Sequence, residues 1–168
     1  MYAGHAALAM LAKGKRPRIP IAVLVPVAFA PDWIEWVLQA FGIEYRMWSH
    51  SLVSVAIGAC VVAGAYRLAT RAGTDALVVG LTYCSHWPAD YITGFKPTWP
   101  GGPWVGLLLY QNPVADVVVE CALIIACWFV YRASLPAVSR RRAIAVLVPL
   151  GLIGMQIGFA AIQSPNLG

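Results

Sequence analysis

Five long apolar stretches constrain the fold of this 168-residue chain more than any other feature. Each is close to the roughly 20 residues that an α-helix needs to cross the hydrocarbon core of a bilayer. Only 11% of the residues are charged, against about 25% in soluble domains, which argues against an ordinary soluble enzyme. The stretches are Ile19–Phe41, Ser49–Leu68, Thr74–Thr93, Pro113–Tyr131 and Ala143–Gln163.

These stretches predict an all-α fold, a polytopic membrane helix bundle that forms a single integral membrane domain over residues 1–168. A sixth apolar piece, Tyr2–Ala12, is too short to cross a bilayer at about 1.5 Å per residue. Its charges follow the apolar run, whereas those of a signal peptide precede it. We therefore predict five spanning helices plus a short N-terminal helix packed inside the bundle.

The lysines and arginines are divided unequally between alternate loops, with Arg46 and Lys96 alone in the smaller set. The positive-inside rule places the larger set in the cytoplasm. The chain is thus expected to be a multi-pass membrane protein, with its basic loops against anionic lipid headgroups. No nucleic-acid recognition motif accompanies these charges, so nucleic acid is not an expected partner. The larger set is Lys13, Lys15, Arg16, Arg18, Arg67, Arg71, Arg132, Arg140, Arg141 and Arg142.

Ionisable side chains inside the apolar stretches are the second informative feature. Each costs roughly 2.5–3.5 kcal/mol on membrane-insertion scales, so each requires a physical reason. Followed along alternating helices, five acids and three histidines fall in the outer half of the bilayer. Histidines and carboxylates gathered at one depth are the donor set of a zinc or other transition-metal site. They are Asp32, Glu35, Asp90, Asp116, Glu120, His5, His50 and His86.

The spacing around Pro88 indicates a cavity at that depth. His86 and Asp90 are four residues apart and share a helix face, and Pro88 between them removes a backbone hydrogen bond. The resulting kink is tolerated where backbone lines a cavity. Two nearby features leave alternatives open. The segment Gly94–Asn112 is either an interfacial loop or a lid over the site. The outer tryptophans form either an interfacial belt or a groove for an amphiphilic substrate; they are Trp33, Trp36, Trp48, Trp87, Trp99 and Trp104.

Four short segments, in order, resemble the bacterial membrane-bound metal-dependent hydrolase family of the YdjM type over roughly residues 1–130. The family pattern has an N-terminal histidine, a PD-x-D motif, an HRG-x-THS motif and a histidine–x3–aspartate helix. The matching segments are Gly4-His5, Pro31-Asp32, residues 46–52 (RMWSHSL) and residues 85–93 (SHWPADYIT). The resemblance implies hydrolase activity and a metal centre, with ligands on His5, Asp32, His50, His86 and Asp90.

This sequence departs from the family pattern at three positions. Ile34 occupies the second aspartate position of PD-x-D, Tyr45 stands in place of the histidine of HRG, and Met47 in place of its glycine. Glu35, one residue after Ile34, either substitutes for the missing aspartate or does not. The choice between one metal ion and two is therefore open.

The expected function is a membrane-embedded metal-dependent hydrolase that acts on a lipid or lipid-linked (phospho)ester. Its cofactor is a divalent transition metal, zinc first and manganese or iron as alternatives. Glu35 or Glu120 is expected to act as general base or acid, and Arg46 to neutralise a substrate phosphate.

Two other functions compete with the hydrolase. A transporter or an ion- or proton-conducting bundle also uses intramembrane acids and histidines, but it needs polar residues in both halves of the bilayer. A structural membrane protein would use the same residues to clamp helices together. That hypothesis predicts that His5, His50 and His86 lie far apart in space.

Overall fold

The computed structural model describes residues 3–43, 47–140 and 144–163 of the chain. The fold is all-α, as the sequence predicts, with one small antiparallel hairpin, β1 (Lys96–Pro97) and β2 (Trp104–Val105). Two short 3-10 turns occupy Trp48–His50 and Leu109–Gln111. The α-helices are α1 (Ala3–Lys15), α2 (Ile21–Ala40), α3 (Leu52–Thr70), α4 (Gly73–Cys84), α5 (His86–Thr93), α6 (Pro113–Ser134), α7 (Ala137–Arg140) and α8 (Ile144–Gln163).

Among the described residues, three helices are long and apolar enough to cross a membrane, namely α2, α3 and α6. The apolar run of α8, Val146–Ile162, is shorter. The predicted stretch Thr74–Thr93 is divided into α4 and α5, and the break falls at Ser85. Pro88 explains the break, because it has no N–H to donate to the carbonyl four residues earlier. The structure thus supports a membrane helix bundle, and the count of five spans stays a prediction.

Polar side chains are concentrated inside the bundle, while large apolar side chains cover much of its surface. His86, Glu120 and Gln156 are completely buried, whereas Leu68 and Phe41 are 85% and 81% exposed. Soluble monomers rarely expose so much contiguous apolar surface, and surfaces of this kind mark contact with membranes or partners. This distribution is typical of a bundle that lies in lipid.

The short helix α1 is buried between longer helices and packs against both α2 and α6. Small residues allow this close approach: a Cβ on Gly14 would lie 3.0 Å from the backbone of Tyr131 on α6. Small residues at helix contacts are common in membrane proteins, where they bring backbones together. The position of α1 places His5 in the interior, where it is 1% exposed.

The N-terminal caps of α3 and α6 define where these two helices begin near the site. The Ser51 hydroxyl accepts a hydrogen bond from a backbone N–H of α3 at 3.1 Å. The Asn112 side chain accepts one from α6, also at 3.1 Å, and Pro113 follows at the first helical position. His50 therefore lies immediately before α3, and Glu120 lies in the early turns of α6.

Candidate metal centre

Side chains from four segments converge in the interior of the bundle. His5 comes from α1, Asp32 from α2, His50 from the turn before α3, and His86 and Asp90 from α5. The rings of His5 and His86 stack with centroids 3.9 Å apart, and those of His50 and His86 are 5.0 Å apart. The hypothesis of a structural membrane protein predicts that the three histidines lie far apart. The short distances between their rings do not agree with that prediction.

Four separations between candidate donor atoms are close to those between the ligands of a tetrahedral ion. Asp32 Oδ1 lies 2.9 Å from His50 Nε2 and 3.6 Å from His86 Nε2. Asp90 Oδ2 lies 3.7 Å from His50 Nε2 and 3.4 Å from His86 Nε2. Tetrahedral ligands bound at roughly 2.0–2.1 Å from zinc are about 3.3 Å apart. Two overlapping groups could hold an ion, and His86 belongs to both; they are His5–Asp32–His86 and His50–His86–Asp90.

His86 is held in a tautomer that suits metal binding. Its Nδ1 lies 2.9 Å from the carbonyl oxygen of Ala28. A carbonyl only accepts, so Nδ1 carries the hydrogen and the Nε2 lone pair is available to a metal. Nε2 is buried without a hydrogen-bond partner among the described residues, although it faces the carboxylates of Asp32 and Asp90. A lone pair buried beside two carboxylates requires a cation, so the residues present fit a metal ion.

His50 is oriented by Ser49 and Glu35. The carboxylate of Glu35 accepts hydrogen bonds from the backbone N–H of Ser49 at 3.1 Å and from its hydroxyl at 2.7 Å. Because this hydroxyl donates to a carboxylate, it accepts from Nδ1 of His50, which lies 3.0 Å away. Nε2 of His50 faces Asp32 Oδ1 at 2.9 Å, and with the hydrogen on Nδ1 this contact needs a shared cation, either a proton or a metal ion.

The three residues predicted to be catalytic have different positions. Glu35 lies behind His50 and also lines a cavity. Glu120 is fully buried on α6, and its carboxylate accepts a hydrogen bond from the backbone N–H of Gly4 at 3.0 Å, so it anchors the start of α1. Arg46 lies outside the described residues. The general acid–base role of either glutamate stays a prediction.

Asp116 belongs to neither ligand group, although its predicted depth is the same as theirs. It lies on α6 and accepts a hydrogen bond at 2.7 Å from Gln156, a completely buried residue of α8. This contact connects two helices, which is a structural role of the kind that any buried acid in a bundle can have. Depth in the bilayer therefore did not separate the ligands from helix-connecting residues.

A cavity of about 550 Å³ lies beside the ligand atoms. Its polar wall includes four of the carboxylates and imidazoles described above, and its apolar wall comes mainly from α2 and α8. Trp36 is part of that wall, as the groove alternative for the tryptophans requires. The apolar lining includes Phe29, Trp36, Met47, Met155 and Phe159, and the polar lining includes Asp32, Glu35, His50, Asp90 and Lys96.

Lys96 is the site residue that the sequence did not reveal as one. It is 8% exposed, and its ammonium lies 2.9 Å from Asp90 Oδ2. From sequence it counted only as a charge in an outer loop. The available signal was its isolation, because Lys96 is the sole charged residue in Gly94–Asn112.

The hairpin β1–β2 holds Lys96 in place opposite Val105. Gly106 allows the two strands to meet, since a Cβ at this position would lie 2.0 Å from the carbonyl oxygen of Gly94. The carbonyl of Thr98 accepts a hydrogen bond from α3 at 3.2 Å, which joins the hairpin to the bundle. The segment Gly94–Asn112 thus contributes directly to the cavity wall, as the lid alternative requires.

Comparison with known proteins does not show which family this chain belongs to. The resemblance to the YdjM-type hydrolases stays a prediction, so the side chains of the centre are the basis on which a function can be assigned. No protein-family model, no curated protein and no solved structure matches the chain.

Proposed function

We propose that this chain is a membrane-embedded metal-dependent hydrolase that acts on a lipid or lipid-linked phosphoester. The observation that carries the proposal is the approach of Asp32 and Asp90 to Nε2 of His86, with His50 in the same group of possible ligands. This Nε2 is buried and has no hydrogen-bond partner among the described residues. Two imidazoles and two carboxylates suit zinc, with manganese or iron as alternatives.

The proposed centre holds one ion. Both candidate ligand groups include His86, whose Nδ1 is already engaged by Ala28. The single remaining lone pair of His86 binds a single ion. His5 lies with its Nε2 3.2 Å from Asp90 Oδ1, so it acts either as a further ligand or as the partner that orients Asp90.

A zinc ion supplies Lewis acidity toward a phosphoryl oxygen and makes water nucleophilic near neutral pH. The chain's own residues orient the reactants and move protons. Glu35 lines the cavity and is engaged by Ser49 through Oε2 in the described contacts, which makes Oε1 the proposed proton acceptor. In the hydrolysis, a water oxygen bonds to phosphorus, the ester P–O bond breaks and the leaving alcohol takes up a proton.

The proposed topology has five crossings, formed by α2, α3, α4 with α5, α6 and α8. The basic loops face the cytoplasm and its anionic lipid headgroups, and the metal centre lies toward the outer face of a bacterial inner membrane. Along α1, His5 and Lys13 are about 12 Å apart at about 1.5 Å per residue, which supports opposite depths for ligands and basic residues. A conducting pathway needs polar residues in both halves of the bilayer. The proposed ligands all lie at one depth, which favours the hydrolase over a transporter or channel.

The apolar wall of the cavity supports a lipid-like substrate. Phe29 and Trp36 from α2 face the same space as Met155 and Phe159 from α8. An acyl or isoprenoid chain would bury apolar surface there, whereas a small soluble metabolite would not.

The test compares two phosphate monoesters with zinc-loaded protein in detergent micelles, namely phosphatidic acid and glycerol 3-phosphate. We expect phosphate release from phosphatidic acid, with little from the soluble ester, and loss of the activity in His86→Ala. Cys60→Ala, at an exposed position of α3, is the control for substitution itself. Equal rates in the wild type and His86→Ala would overturn the hydrolase proposal.

A further inference from the structure

Lys96 is the one cationic side chain among the described residues of the cavity wall, apart from the histidines. Its Nζ lies 2.9 Å from Asp90 Oδ2 and 3.8 Å from the thioether sulfur of Met47. An ammonium has three N–H donors, and sulfur is a weak acceptor. In the described contacts, Lys96 therefore retains donor capacity after its ion pair with Asp90.

The position of Lys96 puts this capacity next to the proposed ion. The same oxygen that accepts from Lys96, Asp90 Oδ2, lies 3.4 Å from His86 Nε2. One carboxylate oxygen thus adjoins both a metal-ligand atom and the ammonium. A substrate atom bound beside the ion would meet Lys96 as its nearest protein cation among the described residues.

The local charge balance indicates what kind of substrate suits this arrangement. A divalent ion and Lys96 would together carry three positive charges, which the carboxylates of Asp32, Glu35 and Asp90 in the same wall balance. Asp90 is shared, however, because its Oδ2 adjoins both His86 Nε2 and the Lys96 ammonium. An anionic phosphoryl oxygen beside the ion would give Lys96 a second charged acceptor, and hydrogen bonds between charged groups are the stronger ones. A neutral carboxylic ester would not give it one.

We propose that Lys96 is the anion-binding residue of this site, and that it selects phosphoesters over neutral esters by donating to a phosphoryl oxygen beside the metal ion. This inference rests on the proposed function, because it requires the metal centre. The hairpin supports it, since Lys96 is fixed by pairing with Val105 and by the close approach of Gly106 to Gly94. A side chain held in place in advance loses little conformational freedom when it binds a ligand.

The experiment measures binding, so it does not depend on knowing the substrate. The full-length protein is loaded with Co²⁺, whose visible spectrum reports changes in coordination, and is titrated with inorganic phosphate. Imidazole, a neutral ligand for the ion, is the matched control. The variants are Lys96→Gln, which keeps a hydrogen-bond donor without charge, Lys96→Met, which keeps the apolar stem, and Lys96→Arg, which keeps the charge.

We expect Lys96→Gln and Lys96→Met to weaken phosphate binding by about 10- to 100-fold, the usual effect of losing a charge-assisted hydrogen bond. Imidazole and Co²⁺ affinities should change little, and Lys96→Arg should retain most of the phosphate affinity. Unchanged phosphate affinity in the two neutral variants would overturn this inference and leave the metal centre standing. Equal losses for phosphate and imidazole would overturn it too, in favour of a structural role. A wild-type protein that binds no Co²⁺ would contradict the proposed function itself.

Discussion

Replacing Ser49 by alanine removes the hydroxyl that connects Glu35 to His50. That hydroxyl donates to the carboxylate at 2.7 Å and accepts from His50 Nδ1 at 3.0 Å, so one substitution deletes two hydrogen bonds. Residues that orient a metal ligand in this way typically contribute 10- to 100-fold to metal affinity, which corresponds to about 1.4–2.7 kcal/mol. The backbone N–H of Ser49 still donates to Glu35, so the local chain path should persist.

The assay is a zinc titration of the purified protein against a competing chelator. Ser51→Ala is the matched control, because Ser51 is also buried but its hydroxyl bonds to Ser54 in the cap of α3. Ser51→Ala should lower the free energy of unfolding by about 1 kcal/mol and leave the zinc Kd unchanged. Ser49→Ala should raise the zinc Kd by about 10- to 100-fold. An unchanged Kd in Ser49→Ala would refute the assignment of the His50 tautomer.

Three further predictions follow from the same contacts. Zinc affinity should fall as pH falls, because protons compete with the metal for the imidazoles, and chelator competition between about pH 5 and 8 measures it. Gly106→Ala should destabilise the protein, since its Cβ would collide with the carbonyl of Gly94. Gly64→Ala is the control, because its Cβ would meet nothing within 4 Å, and it should leave the thermal unfolding temperature nearly unchanged. Glu120→Ala should lower the free energy of unfolding by about 1–3 kcal/mol, because it leaves the Gly4 N–H without this acceptor. Glu120→Gln keeps an acceptor, so its loss of stability should be smaller. Loss of hydrolysis in Glu120→Gln with normal stability would instead indicate an acid–base role.

Much of the site could be predicted from sequence because a membrane makes polar residues conspicuous. Most of the chain is apolar, so each buried acid or histidine required a physical reason. All five predicted ligand residues come together, and each lies in at least one of the two groups that could hold an ion. Depth alone overestimated the set, because Glu120 and Asp116 connect helices at the same level.

The remaining features depend on the three-dimensional path of the chain. Lys96 follows Asp90 by only six residues, but their ion pair depends on how the chain turns from α5 into the hairpin, which spacing alone does not specify. The orientation of His50 depends on Glu35, which is far from it in sequence. Sequence spacing correctly indicated a disturbed helix at Pro88, but it did not distinguish a kink from the break observed at Ser85.

The central claim is that His86 and its neighbours hold one metal ion, and the zinc content of the purified protein tests it most directly. The measurement compares the wild type with His86→Ala, both purified from zinc-supplemented cells and checked for retained fold. The account predicts about one equivalent of zinc per wild-type chain and less than about a tenth in His86→Ala. A wild-type protein without metal, or with the same metal content as His86→Ala, would contradict it.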